Sequence, residues 1–238
     1  MDLLSSAGAE FLLRWLHFLA GITWIGLLYY FNFVQGPFFA EADAATKSAA
    51  TQKLVPRALW WFRWAAMGTF LSGALIIAKR FGEAPAGTSV ATTPWGEAIF
   101  TGALFGTLMF LNVWLVIWPK QKVVIANAVA TASGGEANPA AAGAGRRAFL
   151  ASRTNVVFSI PMLFFMGAAT HMPPSPITHW RRYWAVLLVI AALLQINALT
   201  ATTGTTTKPI EKIPGVIVTG FVVWAIVFAL VKFVLTAA

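Results

Sequence analysis

Apolar residues along this chain gather in long, even runs rather than alternating with polar ones. The first clear run, Trp15 to Val34, reads WLHFLAGITWIGLLYYFNFV. An α-helix needs about 20 such residues to cross a bilayer. By the same criterion the pattern predicts six spans, at about 12–34, 57–78, 97–118, 154–172, 183–200 and 214–235. Breakers mark their ends: Gln35-Gly36-Pro37 closes the first, Lys79-Arg80 the second, Pro119-Lys120 the third and Met172-Pro173-Pro174 the fourth. Between them, residues 40–54 are polar and alanine-rich and predict a short interfacial or solvent helix. Residues 133–147 are low-complexity and predict a mobile loop, and 201–212 link the last two spans. The expected fold class is all-α: a polytopic membrane bundle of about six helices, in one integral-membrane domain of residues 1–238.

Composition supports that frame. The chain is 58% hydrophobic and 11% charged, with mean hydropathy +0.73. Its net charge of +9 sits mostly in short connections, the usual membrane arrangement, and no nucleic-acid module is present. The absence of cysteine excludes disulfides, thiolate metal sites, thiol catalysis and covalent c-type haem attachment by this chain. The first ten residues hold Asp2 and Glu10 but no basic residue, so the first run reads as a retained helix and not a cleaved signal. Six spans place both termini on one side. That side receives six basic residues, Arg14, Lys79, Arg80, Arg181, Arg182 and Lys232. The other receives eleven, Lys47, Lys53, Arg57, Arg63, Lys120, Lys122, Arg146, Arg147, Arg153, Lys208 and Lys212. The bias makes the second side cytoplasmic and puts both termini outside, in the periplasm for a bacterial inner-membrane protein.

Three histidines carry the candidate chemistry. His17 begins the first span, His171 ends the fourth, and His179 follows in a loop and reads as a surface residue. Because odd and even spans run in opposite directions, His17 and His171 reach the same membrane face. That arrangement suits a haem b whose iron takes axial imidazoles from two helices. Gly21 follows His17 by four and Gly167 precedes His171 by four, so each leaves room for a flat macrocycle on its histidine's helix face. Arg14, Arg181 and Arg182 lie on the right side to meet the propionates. The plain alternative is that the glycines pack helices and the histidines bond neighbours. Arg63 is placed to stack on Trp60 or Trp64, and Asn112, Gln195 and Asn197 to line a small polar cavity. The tryptophans are expected mainly as an interfacial belt. Only Glu97, at a span edge, puts a carboxylate in the spans, which argues against a proton pump or cation transporter. No phosphate loop or nucleophile–base pair is present, which argues against a hydrolase.

The segments RWLHFLAGITWIGLLYYFNF (Arg14–Phe33), LWWFRWAAMGTFLSGALII (Leu59–Ile77) and SIPMLFFMGAATHMPP (Ser159–Pro174) resemble helices of the urate oxidase N-terminal domain family of bacterial membrane proteins. The pattern His17, Ala20, Gly21, Trp24, Ile25, Gly26 also resembles, more weakly, copper-resistance-type proteins and the membrane protoporphyrinogen oxidase. The resemblance implies a helical membrane domain tied to cytochrome c-linked redox chemistry, with His17 and His171 as the matching histidines. Longer members carry a cytochrome c domain and are proposed to oxidise urate. This chain resembles a short member without that domain, and Trp60 and Ala65 stand where the longer members are more polar. The leading expectation is a haem-binding electron-transfer protein working with a separate cytochrome c or inside a larger redox complex. The alternatives are a cofactor-free accessory subunit and a cytochrome c-linked urate or purine oxidase.

Overall fold

Helices start along this chain where a side chain can satisfy the free N–H groups of a first turn. Ser5 accepts from Gly8 N at 3.0 Å, Asp43 from Thr46 N at 2.9 Å, and Thr93 from Gly96 N at 3.0 Å with Pro94 opening the turn. The computed structural model describes residues 2–174 and 179–235. It contains α1 (Ser6–Glu41), α2 (Ala44–Lys53), α3 (Val55–Gly82), α4 (Pro94–Ala132), α5 (Ala140–His171), α6 (Trp180–Thr200), the four-residue α7 (Lys208–Glu211) and α8 (Ile213–Leu230). No strand occurs among the described residues. Among the described residues, six helices are long and apolar enough to cross a membrane.

Three expected boundaries are corrected. Pro37 and Pro119 do not end their helices: α1 continues to Glu41 and α4 to Ala132. Proline lacks an N–H, and its ring crowds the carbonyl four residues back. Here each proline is preceded by a widened π turn, Tyr30–Gln35 in α1 and Asn112–Ile117 in α4, which relieves the crowding without breaking the helix. The low-complexity stretch 133–147 is loop only at its start, because α5 begins at Ala140 on an alanine-rich turn. The helix expected within 40–54 is α2.

Helix α5 is the centre of the bundle. Gly102 and Gly106 of α4 let Met166 and Met162 of α5 approach closely, since a Cβ at Gly102 would lie 2.9 Å from Met166 Cγ. Buried side chains then tie α5 to its neighbours. Tyr29 and Ser159 hydroxyls meet at 2.9 Å, and Asn32 donates to Ser152 at 2.8 Å, both from α1. Asn112 of α4 donates to Asn155 at 2.8 Å and exchanges two hydrogen bonds with Gln195 of α6. Asn155 in turn donates to the Met109 carbonyl at 3.0 Å, just before the π turn. Asn112 and Gln195 are therefore knots in an interhelical network. Asn197 donates to the Thr206 carbonyl.

Helix α1 packs along α3 and, among the described residues, bonds α5 through Tyr29 and Asn32. Toward its N-terminus the space between α1 and α5 is a wedge, and the candidate site lies there.

Candidate functional site

A cavity of about 1320 Å³ fills that wedge. Its walls come from α1, α3, α4, α5 and the first turns of α6, and are mostly apolar. His17, Gly21, Gly167, His171 and Arg14 all line it, so five of the seven site residues read from the sequence share one space. Arg181 and Arg182 are exposed and not among the lining residues, although Trp180 and Trp184 beside them are. His17 lies twelve residues before Tyr29, and His171 twelve after its partner Ser159. The two histidines thus stand equal lengths of helix, about 18 Å each, beyond the point where α1 and α5 touch.

His17 is half-buried and held from α3. Its Nδ1 lies 3.1 Å from Ser72 Oγ, and a Cβ at Gly73 would come within 3.0 Å of its Cε1. The Ser72 hydroxyl lies 2.6 Å from the Gly68 carbonyl and 3.1 Å from that of Thr69. A hydroxyl has one proton, and carbonyls only accept. The proton goes to the backbone, so Ser72 Oγ accepts from His17 Nδ1–H. In a neutral imidazole this leaves Nε2 as a bare lone pair, the form that binds a metal. The side-chain hydrogen bond of His17 among the described residues is made through Nδ1.

The rest of the wall has room. Among the described residues, a Cβ at Gly21 would meet only Thr69 Cγ2, at 3.9 Å, and one at Gly167 would meet nothing within 4 Å. Met162 and Met166 also line the cavity, bringing two thioethers that the sequence reading passed over. No cluster of three or more histidine, cysteine or acidic groups exists among the described residues, so a multinuclear metal site has no ligand set. A single macrocyclic iron needs only one or two axial ligands. The donor set, a lone-pair imidazole in an apolar chamber beside glycine clearance, is chemically compatible with haem.

At the open end of the wedge, α1 and α3 are joined by charge. Glu10 Oε1 accepts from Arg14 at 2.7 Å and Arg80 at 3.1 Å, while Oε2 accepts from Lys79 at 3.3 Å. Lys79 also reaches Glu83 at 2.6 Å, and Ser6 donates to the same carboxylate at 2.6 Å. These bonds, Lys79 first, hold Glu83 below the ordinary glutamate value. Arg80 lies over Trp95, 5.4 Å from its ring centre, and Trp95 is part of the cavity wall.

Two other polar groups have surroundings that the sequence did not show. Glu97 is 2% exposed, and neither carboxyl oxygen has a partner among the described residues. It stands in the first turn of α4, at the span edge read from the sequence, one turn before Thr101, whose hydroxyl meets that of Tyr183 on α6 at 2.6 Å. Arg63 stacks on Trp118 at 3.9 Å, across to α4, and not on its own helix's Trp60 or Trp64.

The family model described as urate oxidase N-terminal matches residues 86–231. The match takes in α4 to α8 and thus the wall carrying Gly167 and His171, whereas α1 and α3, with His17 and Ser72, precede it. Of the three resembling segments, only Ser159–Pro174 lies inside it. Neither a curated protein nor a solved structure matches the chain.

Proposed function

Because the chain belongs to the urate oxidase N-terminal family, we propose that it is a haem b-binding membrane protein passing electrons near the face where His17 and His171 lie. The partner is a separate cytochrome c or a larger redox complex, and the setting is a bacterial inner membrane with both termini outside. One observation carries the reading: histidines 154 positions apart line one apolar cavity, with Ser72 Oγ 3.1 Å from His17 Nδ1.

His17 would hold the iron on one side, with His171 at the end of α5 as the second ligand. Bound there, haem b supplies a one-electron carrier. The chain's own residues do the remainder. Ser72 fixes the His17 tautomer, and Gly73 admits the ring against α3. Gly21 and Gly167 keep the chamber clear, and Trp95, Trp180 and Trp184 shield it from water. An apolar chamber of this size suits a flat macrocycle better than urate, a small polar solute that would need several converging donors. The family's name keeps cytochrome c-linked urate oxidation as the second reading.

The test is a reduced-minus-oxidised spectrum of detergent-purified protein, with a pyridine haemochrome assay for stoichiometry. About one haem per chain is expected, with a low-spin bis-imidazole spectrum lost in both His17→Ala and His171→Ala. If His171→Ala keeps a low-spin spectrum, a thioether from Met162 or Met166 holds the second position. A colourless protein after haem loading removes the reading and leaves the cofactor-free accessory subunit. Urate-dependent reduction of cytochrome c would favour the oxidase.

A further inference from the structure

We infer that Arg14, Lys79 and Arg80, gathered on Glu10 at the rim of the cavity, form a subsite for the acidic head of an amphiphile whose apolar body lies inside. The inference rests on the cavity being a ligand site. It joins Lys79 and Arg80 to the cavity-lining Arg14 through Glu10, and leaves out Arg181 and Arg182, which neither line the cavity nor pair with Glu10.

Three cations meet two carboxylates here, Glu10 and Glu83, so the cluster carries one net positive charge. Its position is not that of a remote surface patch. Arg14 itself lines the cavity, Arg80 lies over the lining Trp95, and Ala78, next to Lys79, is also in the wall. The guanidiniums keep donors in hand. Arg14 uses Nε and one Nη on Glu10, and Arg80 uses a single Nη. A guanidinium has five N–H donors, so both retain some for a second carboxylate. Glu10 has two roles: it pins long cationic side chains that would otherwise swing into water, and it cancels part of their charge.

That double role gives a signed test. If the cluster were only a clamp between α1 and α3, removing Glu10 or removing a cation would act in the same direction. If it is an anion subsite, the two act oppositely. Glu10→Gln keeps hydrogen-bonding atoms and raises the net charge, so it tightens binding of an acidic ligand. Arg14→Gln and Arg80→Gln weaken it. Half-exposed charge pairs change affinity by up to about fivefold.

Two sources of the same chemistry are separated by the probe: a porphyrin's propionates, or the carboxylate of a fatty acyl chain. Purified protein in neutral detergent is titrated with protoporphyrin IX, its dimethyl ester and a fluorescent fatty acid. The diacid should bind more tightly than the ester. Glu10→Gln should strengthen diacid binding, each arginine variant should weaken it, Arg→Lys should restore it in part, and the ester should respond to none of them. Fatty acid binding with the same pattern, and no porphyrin binding, would sustain the subsite while removing haem. Equal affinity for diacid and ester, or Glu10→Gln weakening binding alongside the arginine variants, overturns the subsite and leaves haem standing. Failure of all three probes to bind removes both.

Discussion

A single hydroxyl proton decides which nitrogen of His17 is available. Ser72→Ala removes the acceptor for Nδ1–H, and the imidazole should then populate both tautomers. In ¹⁵N-histidine-labelled protein without cofactor, the wild type should show His17 with a protonated Nδ1 and an unprotonated Nε2. An Nε2–H signal in the wild type would sink the assignment. Gly73→Ala addresses the same ring sterically, since its methyl would sit 3.0 Å from Cε1. The ring must tilt, so haem affinity should fall while the fold persists, measured by haem titration beside thermal unfolding. The sequence made part of this legible. Spacing alone paired Gly21 with His17 and Gly167 with His171, because i, i+4 neighbours share a helix face. Ser72 and Gly73 were not legible, because only the crossing of α1 on α3 brings them to the ring. Arg181 and Arg182 show a converse limit: being on the correct side of a membrane does not place a side chain at a particular cavity.

At the scale of elements, Pro37 and Pro119 misled the reading of helix ends. A π turn spreads one helical turn over more residues, and neither hydropathy nor spacing encodes it. Yet the turn beginning at Asn112 is where α4, α5 and α6 are tied by amide hydrogen bonds. In membranes such bonds contribute about 0.6 kcal/mol on average and up to about 1.7 kcal/mol. Asn155 is fully buried and takes part in two of them, one as acceptor from Asn112 and one as donor to Met109. Asn155→Ala should therefore destabilise the bundle by about 1–2 kcal/mol, read from reversible unfolding in mixed micelles. It should leave haem content unchanged, because Asn155 is not in the cavity wall. A variant as stable as the wild type would show that the network does not hold the three helices together.

At the scale of the molecule, helix length and charge agree on an asymmetry. A helix of 36 residues extends about 54 Å and one of 39 about 58 Å, against a hydrocarbon core near 30 Å. Helices α1 and α4 must therefore emerge, and their polar ends show where. The segment of α4 after Pro119 carries Lys120 and Lys122, the first half of α5 carries Arg146 and Arg147, and α2 packs against α3 and this part of α4. All lie at the end opposite the cavity, where eleven of seventeen basic residues fall; the proposed orientation turns that end to the cytoplasm and the cavity rim outward. Absence of native cysteine makes this simple to check. Cysteines placed singly at exposed Thr88, in the loop beside the rim, and exposed Ser133, beyond α4, are challenged in whole cells with a membrane-impermeant maleimide. Thr88→Cys should label in intact cells and Ser133→Cys only after permeabilisation. The reverse pattern would turn the rim toward the cytoplasm. The cavity and its histidines would be unaltered, but a periplasmic cytochrome c could no longer exchange electrons at the rim, and the partner would have to be sought on the inner side.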